Sequence, residues 1–312
     1  MDEIRSVLIV GAGAVGGAVA SVLRKGARVS VLADAERAAR YAAAGFAING
    51  ERLSFPVLPA GTAARRGEEP ELIVVAVKSH HLKRAIADMA GYVGPSTLVL
   101  SLLNGITSED ELSAAFGREK LPYAMILGID AVRVGNETSF SSSGKIHFGD
   151  ARNTKGAWSE RVSRIASLFA RCGIDYVVPE DMLRSLWYKF MINVGINQAS
   201  AVLRSTYGAF QRLPEAKAVM EASMREVIAL SSALGTGLEE SDIAAWKETL
   251  AGLSPEAKTS MLQDVEAGRK TEVEAFAGTV IALGEKAGVA TPVNHLLFNM
   301  IRTIEQSYAQ IP

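Results

Sequence analysis

The feature that most constrains this chain is a glycine run near its N-terminus, Gly11-Ala12-Gly13-Ala14-Val15-Gly16. It follows an apolar stretch, 7–10, and precedes an Ala-rich stretch of helical composition, 14–24. A strand that turns sharply into a helix needs one glycine for the turn. A second lets the backbone approach a ligand, and a third lets helix and strand pack closely. The unsatisfied N–H groups at such a helix start favour phosphate. The run therefore predicts a dinucleotide cradle built from Gly11, Ala12, Gly13, Ala14, Val15 and Gly16. Alone, Gly-x-Gly-x-x-Gly is a weak pattern. Here an acid, Asp34, ends a second apolar run about 20 residues on, as a ribose-binding position requires. A carboxylate there accepts hydrogen bonds from both adenosine ribose hydroxyls and repels a 2′-phosphate, so NAD is favoured or at least accepted. The plainer reading makes Asp34 the cap of a helix beginning near Ala35. Arg37 and Arg40 are close enough in sequence to hold a phosphate instead.

The runs 7–10, 28–32, 72–77 and 97–100 are near-continuously apolar with β-branched enrichment. Such runs fit strands covered on both faces, as in a parallel sheet. They alternate with the helical stretches 14–24 and 35–44, which predicts an α/β class, a doubly wound Rossmann sheet. Asn49-Gly50, between 46–48 and 53–57, signals a hairpin turn. From about 125 to 178, Gly128, Gly135, Gly144 and Gly149 punctuate short runs, read as antiparallel strands added to the sheet edge, with one helix over 158–170. Pro179-Glu180-Asp181 is expected to end a strand and open a helix, with proline near the first turn and acids against the dipole. Beyond it the pattern is helical throughout. A chain of 312 residues exceeds one ordinary core. The division drawn is 1–179, a dinucleotide-binding Rossmann domain, and 180–312, an all-helical substrate and catalytic domain.

Lys and Arg number 33 against 34 Asp and Glu, a net charge of −1. That balance gives no electrostatic basis for binding nucleic acid or an anionic membrane. Cys172 is the only cysteine, so no intrachain disulfide is available, which suits a reducing compartment. His80, His81, His147 and His295 show no metal-ligand spacing, so no metal site is expected. His80 and His81, as neighbours, are expected to point apart. No stretch has the form of a signal peptide or the length of a membrane span. The expectation is a soluble cytoplasmic protein, a monomer or a homodimer formed through apolar helix faces.

Lys189, Asn193 and Asn197 are spaced i, i+4, i+8, which places them on one helix face, among apolar neighbours. Reduction of a ketone builds charge on oxygen and needs a proton, and a lysine ammonium answers both needs. The bland alternative is a lysine reaching solvent, with amides satisfied by backbone. Gly268 is expected to end a helix carrying Ser260 and Asp264. Thr271 and Glu274 read as a capping box for the next helix, placing Glu272 in its first turn. Asn104-Gly105 follows the run 97–102 at its C-terminal end, where open α/β sheets bind ligands.

Val77-Lys78-Ser79, Leu103-Asn104-Gly105, Trp187-Tyr188-Lys189-Phe190 with Asn193 and Asn197, Thr259-Ser260-Met261-Leu262-Gln263-Asp264 and Thr271-Glu272-Val273 together resemble ketopantoate reductase (2-dehydropantoate 2-reductase). The resemblance runs in order from about residue 7 to 308. Each motif is loose, but five in order are specific for the family. It implies NADPH-dependent reduction of 2-dehydropantoate to pantoate, a step toward coenzyme A, in a cleft between two domains. It casts Lys189 and Glu272 as catalytic, and Asn104, Asn193, Asn197 and Ser260 as substrate contacts. Lys78, Asn104 and Glu272 join the glycine run and Asp34 at the cofactor. Two positions depart from the pattern: the family commonly has Arg at Asp34 and often Gln at His81. Asp34 keeps open an NADH-dependent D-2-hydroxyacid dehydrogenase acting on other branched or aromatic 2-keto acids. A rival of another class is a non-catalytic NAD(P)-binding sensor, which would need none of Lys189, Asn193, Ser260 and Glu272.

Overall fold

The computed structural model describes residues 3–308, which form two compact units. The first comprises residues 3–103 and 108–183, the second 104–107 and 184–308.

The first unit is built on a five-stranded parallel sheet in the order Val57–Pro59, Arg28–Ala33, Ser6–Val10, Leu72–Val75, Leu98–Ser101. The apolar runs explain its two-sided burial. Alternate residues point to opposite faces, so Val7, Ile9, Val31, Leu72 and Val74 enter one core, and Leu8, Val10, Ile73, Val75 and Val99 enter another. Helices Ala14–Leu23 and Glu160–Cys172 contribute to the first core, and helix Leu82–Met89 to the second. The chain leaves the strand Ser6–Val10 outward in one direction and returns on its other side. That reversal of strand order is where open sheets bind ligands.

Three local expectations are corrected. The strands after residue 122 do not extend the parallel sheet. Tyr123–Ile129 and Ser143–Gly149 pair antiparallel, and Tyr176–Val177 joins them. Val132–Val134 and Glu137–Ser139 form a second hairpin, which adds to Phe46–Ile48 and Glu51–Leu53. Antiparallel partners joined by short turns satisfy each other's ladders and need no edge from the parallel sheet. The turn at Asn49-Gly50 forms as read, with φ of 49° and 76°, but its second strand is Glu51–Leu53, not 53–57. Val57–Pro59 belongs to the parallel sheet instead. Pro179 does not start a helix, which runs over Met182–Ile192. Its carbonyl accepts from Asn153 Nδ2 at 2.7 Å, and Asp181 pairs with Arg152 at 2.8 Å.

The second unit is helical among its described residues, arranged around the long helix Pro214–Leu234. Phe190, Met191, Val194, Met220, Met224, Val227 and Phe276 fill its core. Two short segments, Asn193–Asn197 and Glu274–Gly278, are wound as π-helix, and they pack on each other. Such wide turns are rare and often mark functional sites. No helix among the described residues is long and apolar enough to cross a membrane.

Candidate active site

In the first unit a groove of about 200 Å³ opens at the C-terminal ends of the parallel strands. Gly11, Asp34, Arg37, Val77, His81 and Arg84 are among the residues that line it. The glycine run fits a phosphate cradle. Gly11 has φ +99°, and a Cβ on Gly16 would lie 2.0 Å from the Gly11 carbonyl oxygen, so turn and helix touch where only glycine fits. A Cβ on Gly13 would meet nothing within 4 Å, so that side of the loop is open to a ligand. The helix Ala14–Leu23 begins at Gly13 without a side-chain cap, which leaves its first N–H groups to an external acceptor.

Asp34 takes the capping role read for it and also lies on the groove. It caps the helix Ala35–Ala44, its Oδ1 accepting from the Arg37 N–H at 2.8 Å, and it also lines the groove. Its Oδ2 lies 3.7 Å from Arg37 Nε. Arg40 instead rests over the Tyr41 ring, 5.9 Å from its centroid, so only Arg37 of the two arginines faces the groove. Arg84 escaped the sequence reading. It bonds Asp88 at 2.7 Å on a helix whose i, i+4 pair looks like ordinary surface. Arg133 was missed as well: it reaches from the hairpin to donate to the Ala12 carbonyl. Lys78 precedes the 3₁₀ turn Ser79–His81, beside the groove-lining Val77. On that turn the His80 and His81 rings do not point apart but meet edge to face at 4.2 Å, because a 3₁₀ turn lacks the alternation of a strand.

The second unit gathers another set of polar groups. The helix Met182–Ile192 carries Lys189, half-buried, one turn before Asn193. Across the wide turn, Asn197 Nδ2 donates to Asn193 Oδ1 at 3.2 Å. Asn193 Nδ2 is buried and finds no hydrogen-bond partner among the described residues. The helix Ser260–Glu266 packs on the same turn, with Ser260 exposed at its first position. Thr259 caps that helix and bonds Ser200 at 2.5 Å, and Ser200 in turn donates to the Asn197 carbonyl at 3.0 Å. Asn104 Nδ2 donates to Glu272 Oε2 at 3.2 Å, which joins two residues 168 apart in sequence. Glu272 is only 4% exposed.

Gly268, at φ +61°, ends the Ser260 helix as expected. The capping box does not form. Glu305, from the helix Pro292–Ser307, accepts from both the N–H and the hydroxyl of Thr271 at 2.7 Å. Glu274 pairs with Arg302 at 2.6 Å instead. A tertiary carboxylate has taken the place of the local one. Among the described residues, no cluster of histidine, cysteine or acids has the form of a metal site.

Comparison with known proteins agrees with this layout. The family profiles described as ketopantoate reductase PanE/ApbA and ketopantoate reductase PanE/ApbA C terminal match residues 7–153 and 181–305. A 2-dehydropantoate 2-reductase of Halobacterium salinarum is 29% identical, over 76% of this chain and 77% of its own. One of Aquifex aeolicus is 26% identical over 97% of both. The solved structure of D-mandelate dehydrogenase with NADH and anilino(oxo)acetate shares the fold, with a TM-score of 0.86 at 22% identity over 97% of this chain and 99% of that one. Glycine cradle, helical unit and paired polar sets thus converge on one assignment: the chain belongs to the ketopantoate reductase PanE/ApbA family of NAD(P)-dependent oxidoreductases acting on CH–OH groups.

Proposed function

We propose that this protein reduces the keto group of 2-dehydropantoate to the hydroxyl of pantoate with NAD(P)H. The observation that supports it most is the buried, unpartnered Asn193 Nδ2, set beside Asn197 one turn after Lys189. A buried donor without an acceptor costs about 1–3 kcal/mol, which a substrate oxygen would offset. Reduced nicotinamide, when bound, would supply the hydride that a keto carbon needs. Lys189 Nζ gives its proton to the oxygen as charge builds there. Glu272, held by Asn104, accepts the substrate hydroxyl, and Asn193, Asn197 and Ser260 hold the remaining substrate oxygens. Gly11, Ala12, Gly13, Ala14, Val15 and Gly16 cradle the pyrophosphate, Asp34 takes the ribose, and Lys78, Asn104 and Glu272 complete the cofactor contacts. In this reading residues 1–179 serve the dinucleotide, and 180–312 serve substrate and chemistry.

Asp34 favours a finer point: NADH is accepted well, and a strong NADPH preference is not expected. The same residue supports a second reading, an NADH-dependent D-2-hydroxyacid dehydrogenase using other branched or aromatic 2-keto acids. The test is a matrix of 2-keto acids against NADPH and NADH, followed by loss of reduced nicotinamide. The highest kcat/KM belongs to 2-dehydropantoate on the first reading and to an aromatic or simple branched acid on the second. Tight cofactor binding with no turnover on any keto acid would refute both and leave a nucleotide sensor.

A further inference from the structure

We infer that Gln198 is a positioning residue for the paired amides Asn193 and Asn197. The inference rests on their reading as substrate contacts. A π turn displaces the hydrogen-bond ladder from its i+4 step, so a carbonyl near its end needs another donor. The Gln198 backbone N–H is directed to the Gly195 oxygen. In a regular α-helix it would serve Val194. The Gln198 side chain fills that place: its Nε2 donates to the Val194 carbonyl at 2.7 Å. The same Nε2 donates to Asn294 Oδ1 at 3.0 Å. Asn294 is itself held, its Nδ2 donating to Glu226 Oε2 at 2.7 Å and to the Ser223 carbonyl at 3.3 Å. Glu226 also accepts the N–H groups of Val293 and Asn294, at 2.7 and 2.9 Å, at the start of the helix Pro292–Ser307. Gln198 and Asn294 are both 0% exposed. The wide turn is thereby bolted through one amide to two other helices. The Gln198 Nε2, Asn294 and Glu226 groups are spent on one another and on backbone, while Gln198 Oε1 is buried without a partner among the described residues. Their effect passes through the turn that sets Asn197 Nδ2 against Asn193 Oδ1 and leaves Asn193 Nδ2 buried without a partner among the described residues.

The test uses the full-length enzyme and the keto acid with the highest turnover, with four proteins: wild type, N193A, Q198L and Q198L/N193A. Q198L is expected to lower kcat/KM for the keto acid about tenfold, with KM for reduced nicotinamide unchanged. In the N193A background the same change is expected to have almost no further effect, because residues acting through one another are non-additive. A merely structural role predicts the opposite: equal loss in both backgrounds, and weaker cofactor use besides. If Q198L does not fold, Q198M, with its unbranched side chain, replaces it in the cycle. Failure of both to fold assigns Gln198 to stability alone and overturns the inference. An N193A enzyme with wild-type kcat/KM refutes the reading of the amides, and the inference falls with it. A damaged N193A enzyme with an additive Q198L effect refutes the positioning role only.

Discussion

At the scale of single residues, the proposed chemistry rests on Lys189 and the proposed cofactor choice on Asp34. Lys189→Ala is expected to cut kcat by about 10²–10⁴, the ordinary worth of a general acid, while cofactor affinity stays near wild type. Lys189→Arg is expected not to rescue, because a guanidinium does not give up its proton near neutral pH. Steady-state kinetics with a cofactor titration checks both, and a mutant retaining most of its kcat would sink the assignment. Asp34 needs a cleaner probe, because it also caps a helix. Asparagine caps as well as aspartate, so Asp34→Asn removes the charge and leaves the cap. Hydrogen bonds to a charged group contribute about 1.5–3 kcal/mol each. The NADH to NADPH ratio of kcat/KM is therefore expected to fall about tenfold in Asp34→Asn with Tm unchanged, and to invert in Asp34→Arg, with Arg37 adding a second cation. An unchanged ratio would mean that Arg37 already governs the choice.

At the scale of elements, the glycine turn was legible and the wide turns were not. Three glycines at fixed spacing leave few backbone alternatives, and the structure uses Gly11 and Gly16 for contacts that exclude a Cβ. Gly13 differs, because its open side faces no protein atom within 4 Å. Gly13→Ala is therefore expected to fold with Tm near wild type yet bind NAD(P)H about tenfold or more weakly, since a methyl would occupy the path of the pyrophosphate. Thermal melting and fluorescence titration measure the two separately, and tight binding in the variant would remove the loop from the cofactor site. The π segments had only a faint signal, Gly195 and Gly278 inside helical text. Gly195 suits the packing, since a Cβ there would lie 2.6 Å from Met224 Cγ and displace that buried side chain. The i, i+4, i+8 spacing placed Asn193 beside Asn197, which do bond each other, but it assumed a regular helix through Asn193–Asn197, where the wide turn now sits.

At the scale of the whole molecule, one buried acid awaits a pH test. Glu109 is 2% exposed, in the first turn of Ser108–Phe116. The Ser108 hydroxyl bonds one of its oxygens at 2.9 Å, and the Ala124 N–H the other at 3.3 Å. Loss of water raises its pKa above the ordinary 4.5, and those hydrogen bonds only partly oppose the rise. The folded state therefore holds this proton more tightly than the unfolded chain does. Stability from Glu109 is full below about pH 4.5 and is lost as pH rises through the folded value. Glu109→Gln, which keeps an acceptor for Ala124, is expected to match wild type at low pH and to exceed its Tm increasingly at neutral pH. Parallel Tm curves from pH 4.5 to 8 would refute this.

The sequence by itself determined the doubly wound sheet and the helical second unit. It also marked the glycine turn and Asp34 at the end of the second strand. These follow from local periodicity, or from residue types whose backbone and charge leave little choice, whereas the roles read for Lys189, Glu272 and Ser260 came from the family resemblance. Tertiary structure alone decided which sheet the late strands join. It also decided that Glu305 rather than Glu274 holds Thr271, that Asn104 meets Glu272 across 168 residues, and that Gln198 secures a turn one step too wide. Each is a choice among partners of equal local merit, and burial settles it, because a polar group removed from water must find whichever partner the packed chain brings within reach.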